Sequence, residues 1–312
     1  MNERLVAIFL ILFTLVLMVL SVAKRNIVPS PDWLEPDWIE VEPKLEPELP
    51  KPEEKFIPEF ENHPAVRNVT NLGKVLSDIE GHMPEGHIYK DEDKITWGHE
   101  TTHGINSNLR MKFSMRTTSL GEVQLLGTWI DDIHGHKVFK SYARINGFYV
   151  LEDRAVIINE PDTTVGTVAE LVPRSLRGGV YKLYMIDQAK SWNDTPLYIF
   201  DEWTAYTNGS EVRLDLGIKE RSETILYMLE FNVYALCLAQ ACKTEDIQFK
   251  NYLKWNIERS MKLYLDSKEK LGNADKHDAY LETMRIGTDA EVFRTSARDY
   301  LGVDWTKKVL GF

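Results

Sequence analysis

Proline recurs every few residues between Asn26 and Pro64, among many acids and few bases. A ring that fixes φ and removes the N–H interrupts helices and sheet ladders alike, and like charges stretch the chain further. Residues 26–64 are therefore expected to form an acidic spacer, a stalk, and the folded body has to be built from residue 65 onward. Trp33, Trp38 and Phe56 are the aromatic exceptions within the spacer. They could instead pack on the body or cover a site as a propeptide would.

Ahead of the spacer lies an uncharged apolar run, residues 5–23. About twenty such residues cross a bilayer as a helix. Ser21-Val22-Ala23 suits signal-peptidase cleavage, so residues 1–25 read as a signal anchor or a signal peptide, and the length of the run with Lys24-Arg25 after it favours the anchor. Lys24 and Arg25 alone would favour a cytoplasmic body, but an apolar segment this close to the first residue more often accompanies export. The body is expected to be extracytoplasmic, held to a membrane through residues 5–23 by a single pass, or secreted.

Charge and cysteine content exclude other classes. A formal net charge of −11 speaks against nucleic acid as a partner, because phosphate contacts need clustered Lys and Arg. Two cysteines, Cys237 and Cys242, make neither a disulfide-dense module nor a Cys-ligated zinc site. Five residues apart on one expected helix, they face different directions and read as buried thiols.

From residue 65 onward the pattern is α+β, mostly helical with a small antiparallel sheet. Leu72, Val75, Leu76 and Ile79 have the spacing of an amphipathic helix over 72–81. A second helix is expected from about Ile95 to Phe113. Between 121 and 159 the pattern changes to strands, with turn signals at Asn146-Gly147 and Glu152-Asp153. After Pro161 helices are expected at 165–190, 196–207, 222–243, 245–270, 275–285 and 289–300. The apolar stripe of 222–243 reads as core, because Glu230 and Asn232 in its middle do not suit a membrane span. Residues 65–220 are read as a catalytic region and 221–312 as a C-terminal helical region packed on it.

The chemistry concentrates in Trp97–Asn106, which contains H-E-x-x-H as His99, Glu100 and His103. Residues i and i+4 of a helix lie one above the other. Two imidazoles can then meet one Zn²⁺, with Glu100 beside them to act on its water. A catalytic zinc uses three protein ligands, so a third must come from elsewhere. The metzincin extension is absent, since Asn106 and Leu109 stand where its glycine and third histidine would be. The best source is Thr195–Gly209: Thr195 as N-cap, Pro196 in the first turn, Asn208-Gly209 as the stop. Its aromatic sides call for burial, where a carboxylate needs a partner or a metal. Glu202 stands between Tyr198 and Tyr206 at i−4 and i+4, and is the preferred ligand. Asp201, Glu170 and Glu160 are the alternatives.

On His99, Glu100, His103 and the Asp201–Tyr206 segment the chain resembles the zincin metallopeptidases, specifically the gluzincin-like group. That resemblance implies a zincin-like fold and one Zn²⁺ held by His99, His103 and Glu202. It further implies hydrolysis of a peptide or protein substrate, with Glu100 as general base and Tyr206, in preference to Tyr198, stabilising the oxyanion. Asn106 and Arg110 lie where residues orienting the ligands would be. Two other readings remain: an interaction protein in which the motif is accidental or inactive, and a zinc hydrolase acting on something other than peptides. His134-Gly135-His136 after Asp131-Asp132 reads as a polar turn, and His82 and His87 as solvated residues. The Asn68, Asn193 and Asn208 sequons read as turn and capping chemistry.

Overall fold

The computed structural model describes residues 61–63, 72–84, 89–131, 137–272 and 275–312. The apolar run 5–23, the spacer up to residue 60, His87, Asn68 and His134-Gly135-His136 lie outside the described residues.

β1 (Glu61–Asn62) is followed by α1 (Lys74–Gly81) and by the long α2 (Lys94–Phe113). Asp93 starts α2: its carboxylate accepts from the Ile95 N–H (3.0 Å) and the Thr96 hydroxyl (2.9 Å). Short strands come next: β2 (Met115–Thr117), β3 (Val123–Leu125), β4 (Gly127–Asp131), β5 (Lys137–Ser141), β6 (Ile145–Tyr149) and β7 (Arg154–Asn159). All pairings are antiparallel, but they make three small sheets where one was expected: β2 with β3, β4 with β5, and β1-β7-β6. Leu126 joins the first two through its own N–H to Ser114 O and the Tyr142 N–H to its carbonyl (both 2.9 Å), which links the ribbons without extending a ladder. The last residues of the proline-rich segment thus take part in the fold, since Glu61 and Asn62 pair with Ala155 and Arg154.

The expected helix 165–190 is broken. It consists of α3 (Val165–Leu171), a 3₁₀ turn (Arg174–Leu176), a π-helical turn (Lys182–Asp187) and α4 (Ala189–Trp192). Pro173 and Gly178-Gly179 interrupt it. The remainder is α5 (Tyr198–Asp215), α6 (Glu223–Cys242), α7 (Ile247–Leu271), α8 (Asp275–Ile286), a 3₁₀ turn at Thr288–Ala290, α9 (Glu291–Leu301) and α10 (Val303–Val309). The class is α+β, mostly helical.

One core runs from Phe148 to Leu310, so the helices beyond residue 220 share the interior of those before it. Phe200, Trp203, Phe231, Phe249 and Tyr252 form its aromatic centre. Among the described residues α6 is long and apolar enough to cross a membrane, yet it packs inside the body. Cys237 is buried there as a free thiol, and Cys242 is half-buried and free.

α5 departs from its expected boundaries at both ends. Thr195 does not cap it; the Glu160 carboxylate does, accepting the Leu197 N–H (2.6 Å). Nor does the helix stop at Asn208-Gly209. The buried Asn208 amide donates to Thr102 Oγ1 (3.2 Å) and Tyr149 O (3.1 Å), and its oxygen accepts from Arg259 (2.9 Å). Gly209 lets α2 come close: a Cβ there would sit 3.3 Å from Ile95 O and 3.5 Å from His99 Cβ. The dipeptide is a helix-crossing device, and the helix runs through it.

Candidate metal centre

α2 and α5 cross so that a polar stripe on the first faces a pair of acids on the second. His99, His103, Asn106 and Arg110 are spaced by four, three and four residues, which keeps them on one side of α2. Asp201 and Glu202 are neighbours on α5, about 100° apart around the helix axis, so they can reach different atoms of the same imidazole.

They do so at His103. Its Nδ1 lies 3.1 Å from Asp201 Oδ1, and its Nε2 lies 3.4 Å from Glu202 Oε2. His99 Nε2 is 3.7 Å from the same Glu202 oxygen and 3.1 Å from His103 Nε2. Ligands placed tetrahedrally at about 2.0–2.1 Å from a zinc ion stand about 3.3–3.4 Å from one another. The three observed separations bracket that value. Glu202 Oε2 is buried, and its partners are the two imidazole nitrogens, His103 Nε2 and His99 Nε2, so all three donor atoms face one another. His99 and His103 keep 13% and 19% of their side-chain surface accessible.

A supporting layer holds His103. Asp201 Oδ1 accepts from Asn106 Nδ2 (2.7 Å), and Asp201 Oδ2 accepts from Arg110 Nη2 (2.8 Å). Asn106 also accepts the Tyr149 N–H (2.7 Å), and Arg110 donates to Asn146 Oδ1 (2.5 Å) and Phe139 O (2.9 Å). An acceptor on Nδ1 leaves Nε2 as the coordinating nitrogen and fixes the ring plane. Burial pushes the Asp201 carboxyl up, but the charges of His103 and Arg110 and the hydrogen bonds of His103 and Asn106 outweigh it, so the group lies well below the usual carboxylate range. Burial likewise disfavours the His103 cation, and Glu202 with Asp201 overcome this and raise it well above the ordinary imidazole value. Glu202 is raised by burial, with the His103 charge opposing.

The structure thus brings His99, His103 and Glu202 together and turns Asp201, an alternative ligand, to the back of His103. Glu160 is elsewhere, capping α5, where burial pushes its carboxyl up to about 7 against the Leu197 N–H and Arg110. Glu170 is exposed on α3. Glu100 is half-buried one residue past His99, and its charge contributes to raising both Glu202 and Tyr206. Tyr206 lies edge-on to His99, with ring centroids 4.4 Å apart. Tyr198 is in the core, stacked on Trp192 at 5.6 Å. Tyr184, which nothing in the sequence singled out, reaches this cluster from the π-helical turn: its hydroxyl is 2.7 Å from that of Tyr206. His82, expected to be solvated, is 1% exposed because Tyr149, His63 and Asp153 enclose it.

Compared with protein families, with curated proteins and with solved structures, the chain matches none.

Proposed function

We propose that this protein is a zinc-dependent hydrolase, a metallopeptidase that cleaves peptide bonds. The observation that carries the reading is the convergence of His99 Nε2, His103 Nε2 and the buried Glu202 Oε2 at ligand-to-ligand spacing. Three protein ligands drawn from nitrogen and oxygen are the set that catalytic zinc uses. The ion, when bound, supplies an acidified water and a Lewis acid for the scissile carbonyl.

The chain's own residues supply the rest. Glu100, on the same turn as His99, accepts a proton from the attacking water and delivers it to the leaving amine. Tyr206, beside His99, donates to the oxygen that gains charge as the carbonyl becomes tetrahedral. Asp201, held by Asn106 and Arg110, keeps the His103 ring in place. The apolar run 5–23 supports a membrane-anchored or secreted setting, with a peptide or protein as substrate.

The test is the full chain with Glu100→Gln. Metal content by elemental analysis is expected to stay near one zinc per chain while hydrolysis of a mixed peptide library, followed by mass spectrometry, is lost. A wild-type chain that takes up no zinc after exposure to the metal and dialysis sinks the reading. A Glu100→Gln variant that cleaves as well as wild type sinks the role of Glu100. A second reading, an interaction protein, is favoured by Met115, Leu120, Val123, Leu125, Trp129 and Tyr142, all exposed along the strands that come after α2. It predicts no cleavage in the same assay.

A further inference from the structure

Tyr184 is 4% exposed and its ring packs against Phe231, with centroids 5.2 Å apart. A phenol that deep must give its proton to an acceptor. The oxygen within reach is that of Tyr206, 2.7 Å away, and either hydroxyl can donate to the other. A hydroxyl has one proton, so the direction of this bond has a consequence for its partner. If Tyr184 donates, Tyr206 must turn its own proton elsewhere. Tyr206 is the less buried of the two, stands four residues after Glu202 on α5 and lies against His99. Its proton is then left for an acceptor on the side of His99.

The local backbone explains why Tyr184 is where it is. A π-helical turn inserts one residue beyond the α repeat and re-aims the side chains after it, and such turns recur at functional sites. This one, Lys182–Asp187, is anchored from α6. Glu230, fully buried, accepts the N–H groups of Gly179 (2.9 Å) and Val180 (3.1 Å) and the Tyr234 hydroxyl (3.1 Å). A Cβ at Gly178 would overlap the Glu230 carboxylate. On the other side the Tyr181 hydroxyl donates to Ala169 O (2.9 Å). A buried carboxylate on a core helix thus sets the position of a turn, and the turn sets the position of Tyr184.

We propose that Tyr184 is a positioning residue: it donates to Tyr206 and so commits the Tyr206 proton to the side of His99 and the proposed metal, making Tyr206 the oxyanion donor. This rests on the hydrolase reading above. It concerns a hydrogen-bond direction only, and no bond is broken.

The test uses the full chain loaded with Co²⁺ in place of Zn²⁺, so that binding of acetohydroxamate, an anionic oxygen ligand, is read from the visible d–d band. Tyr184→Phe, Tyr206→Phe and the double variant are compared with wild type. Each single change is expected to weaken acetohydroxamate about 10- to 100-fold, an effect of the size expected for one hydrogen bond to a charged group. The double variant is expected to be no weaker than Tyr206→Phe alone, because the first tyrosine acts only through the second. Gly178→Ala, which presses on Glu230 without touching either phenol, is expected to match Tyr184→Phe while cobalt content stays unchanged. Acetohydroxamate binding to Tyr184→Phe equal to wild type overturns the proposal, as does a double variant whose loss is the product of the two single losses. In either case normal cobalt uptake leaves the hydrolase reading standing. Failure of the wild-type chain to take up cobalt or zinc overturns both.

Discussion

Among the described residues two groups of histidine and carboxylate have ligand atoms within 4.8 Å of one another, His99–His103–Glu202 and Asp78–His82–Asp153, and they are built on opposite principles. In the first, two imidazoles present the same nitrogen, Nε2, to one carboxylate oxygen, and three donor atoms share a point. In the second, a single imidazole is stretched between partners on its two sides. His82 Nδ1 faces Asp78 O (2.7 Å) and the Tyr149 hydroxyl (2.8 Å), while Nε2 faces Asp153 Oδ1 (2.7 Å). Tyr149 in turn donates to Asp78 Oδ2 (2.8 Å). Both nitrogens are occupied, and their lone-pair directions diverge. The second group is a strut, tying the end of α1 to the turn between β6 and β7. Leu151, Glu152 and Asp153 in that turn all have positive φ (70°, 55° and 60°), at roughly 1–2 kcal/mol each for residues with a Cβ. Proximity of ligand-type residues does not make a metal centre; convergence does.

The largest expected break in that contrast is His103→Ala. It removes one of three ligands, and elemental analysis after dialysis should show zinc falling from about one per chain to nearly none. His82→Ala in the same assay should leave zinc unchanged. If His82→Ala lost the metal and His103→Ala kept it, the two groups would have to exchange roles.

Next comes Asp201→Asn. The ring of His103 loses a charged acceptor, and zinc affinity should fall roughly 10–100-fold in a competition titration with a chelator. Arg110 loses its counter-ion as well, so the variant should also melt earlier than wild type. An unchanged affinity would mean that Asp201 holds α2 and α5 together and does nothing for the ligand.

A smaller effect is expected on the strut. His82→Ala should lower unfolding stability in urea by about 1–3 kcal/mol, because Tyr149 and the two aspartates lose a buried partner. The smallest is a pH effect at His63, which stacks beside His82 with ring centroids 5.3 Å apart. Burial first, then the neighbouring His82 charge, lower its pKa from the ordinary 6.5 to about 4. The unfolded chain therefore takes up a proton that the folded chain resists. The contribution of His63 is present above pH 6.5 and is lost as the pH falls toward about 4. Glu160 works in the other direction, since its raised carboxyl, at about 7, costs stability as the pH rises from about 4.5 to 7. The two slopes overlap, so the check is the difference in melting temperature between wild type and His63→Phe across pH 4–7. A flat difference would show that β1 is not seated on His82.

How far this could be read in advance depended on range. α2 and α6 are bounded by local signals, and H-E-x-x-H needs nothing beyond one helix. The nearness of Glu202 to His99 and His103 was legible because a buried aromatic helix has few places to put an acid. What escaped depends on contacts far along the chain. Asn208-Gly209 has the composition of a stop, and only the partners of Asn208 on α2, β6 and α7 make it continue. Tyr184 carries no local mark, because the π turn that aims it is set by Glu230, some fifty residues later. His82 comes just after the end of a helix in a glycine-rich stretch, a setting that ordinarily means solvent. Its burial comes from the β6–β7 turn folding back over it.

Gly209 has one more consequence, for ion choice. The hydrogen in place of a side chain leaves room for Ile95 O and His99 Cβ beside α5, and the distance between two ligands fixes the radius of the ion that fits between them. A methyl group at 209 would have to push α2 away by a few tenths of an ångström. Every proposed ligand would still be present, and the proposed site would be gauged for a larger divalent cation. The selectivity of such a centre would then rest partly on a residue that no metal touches.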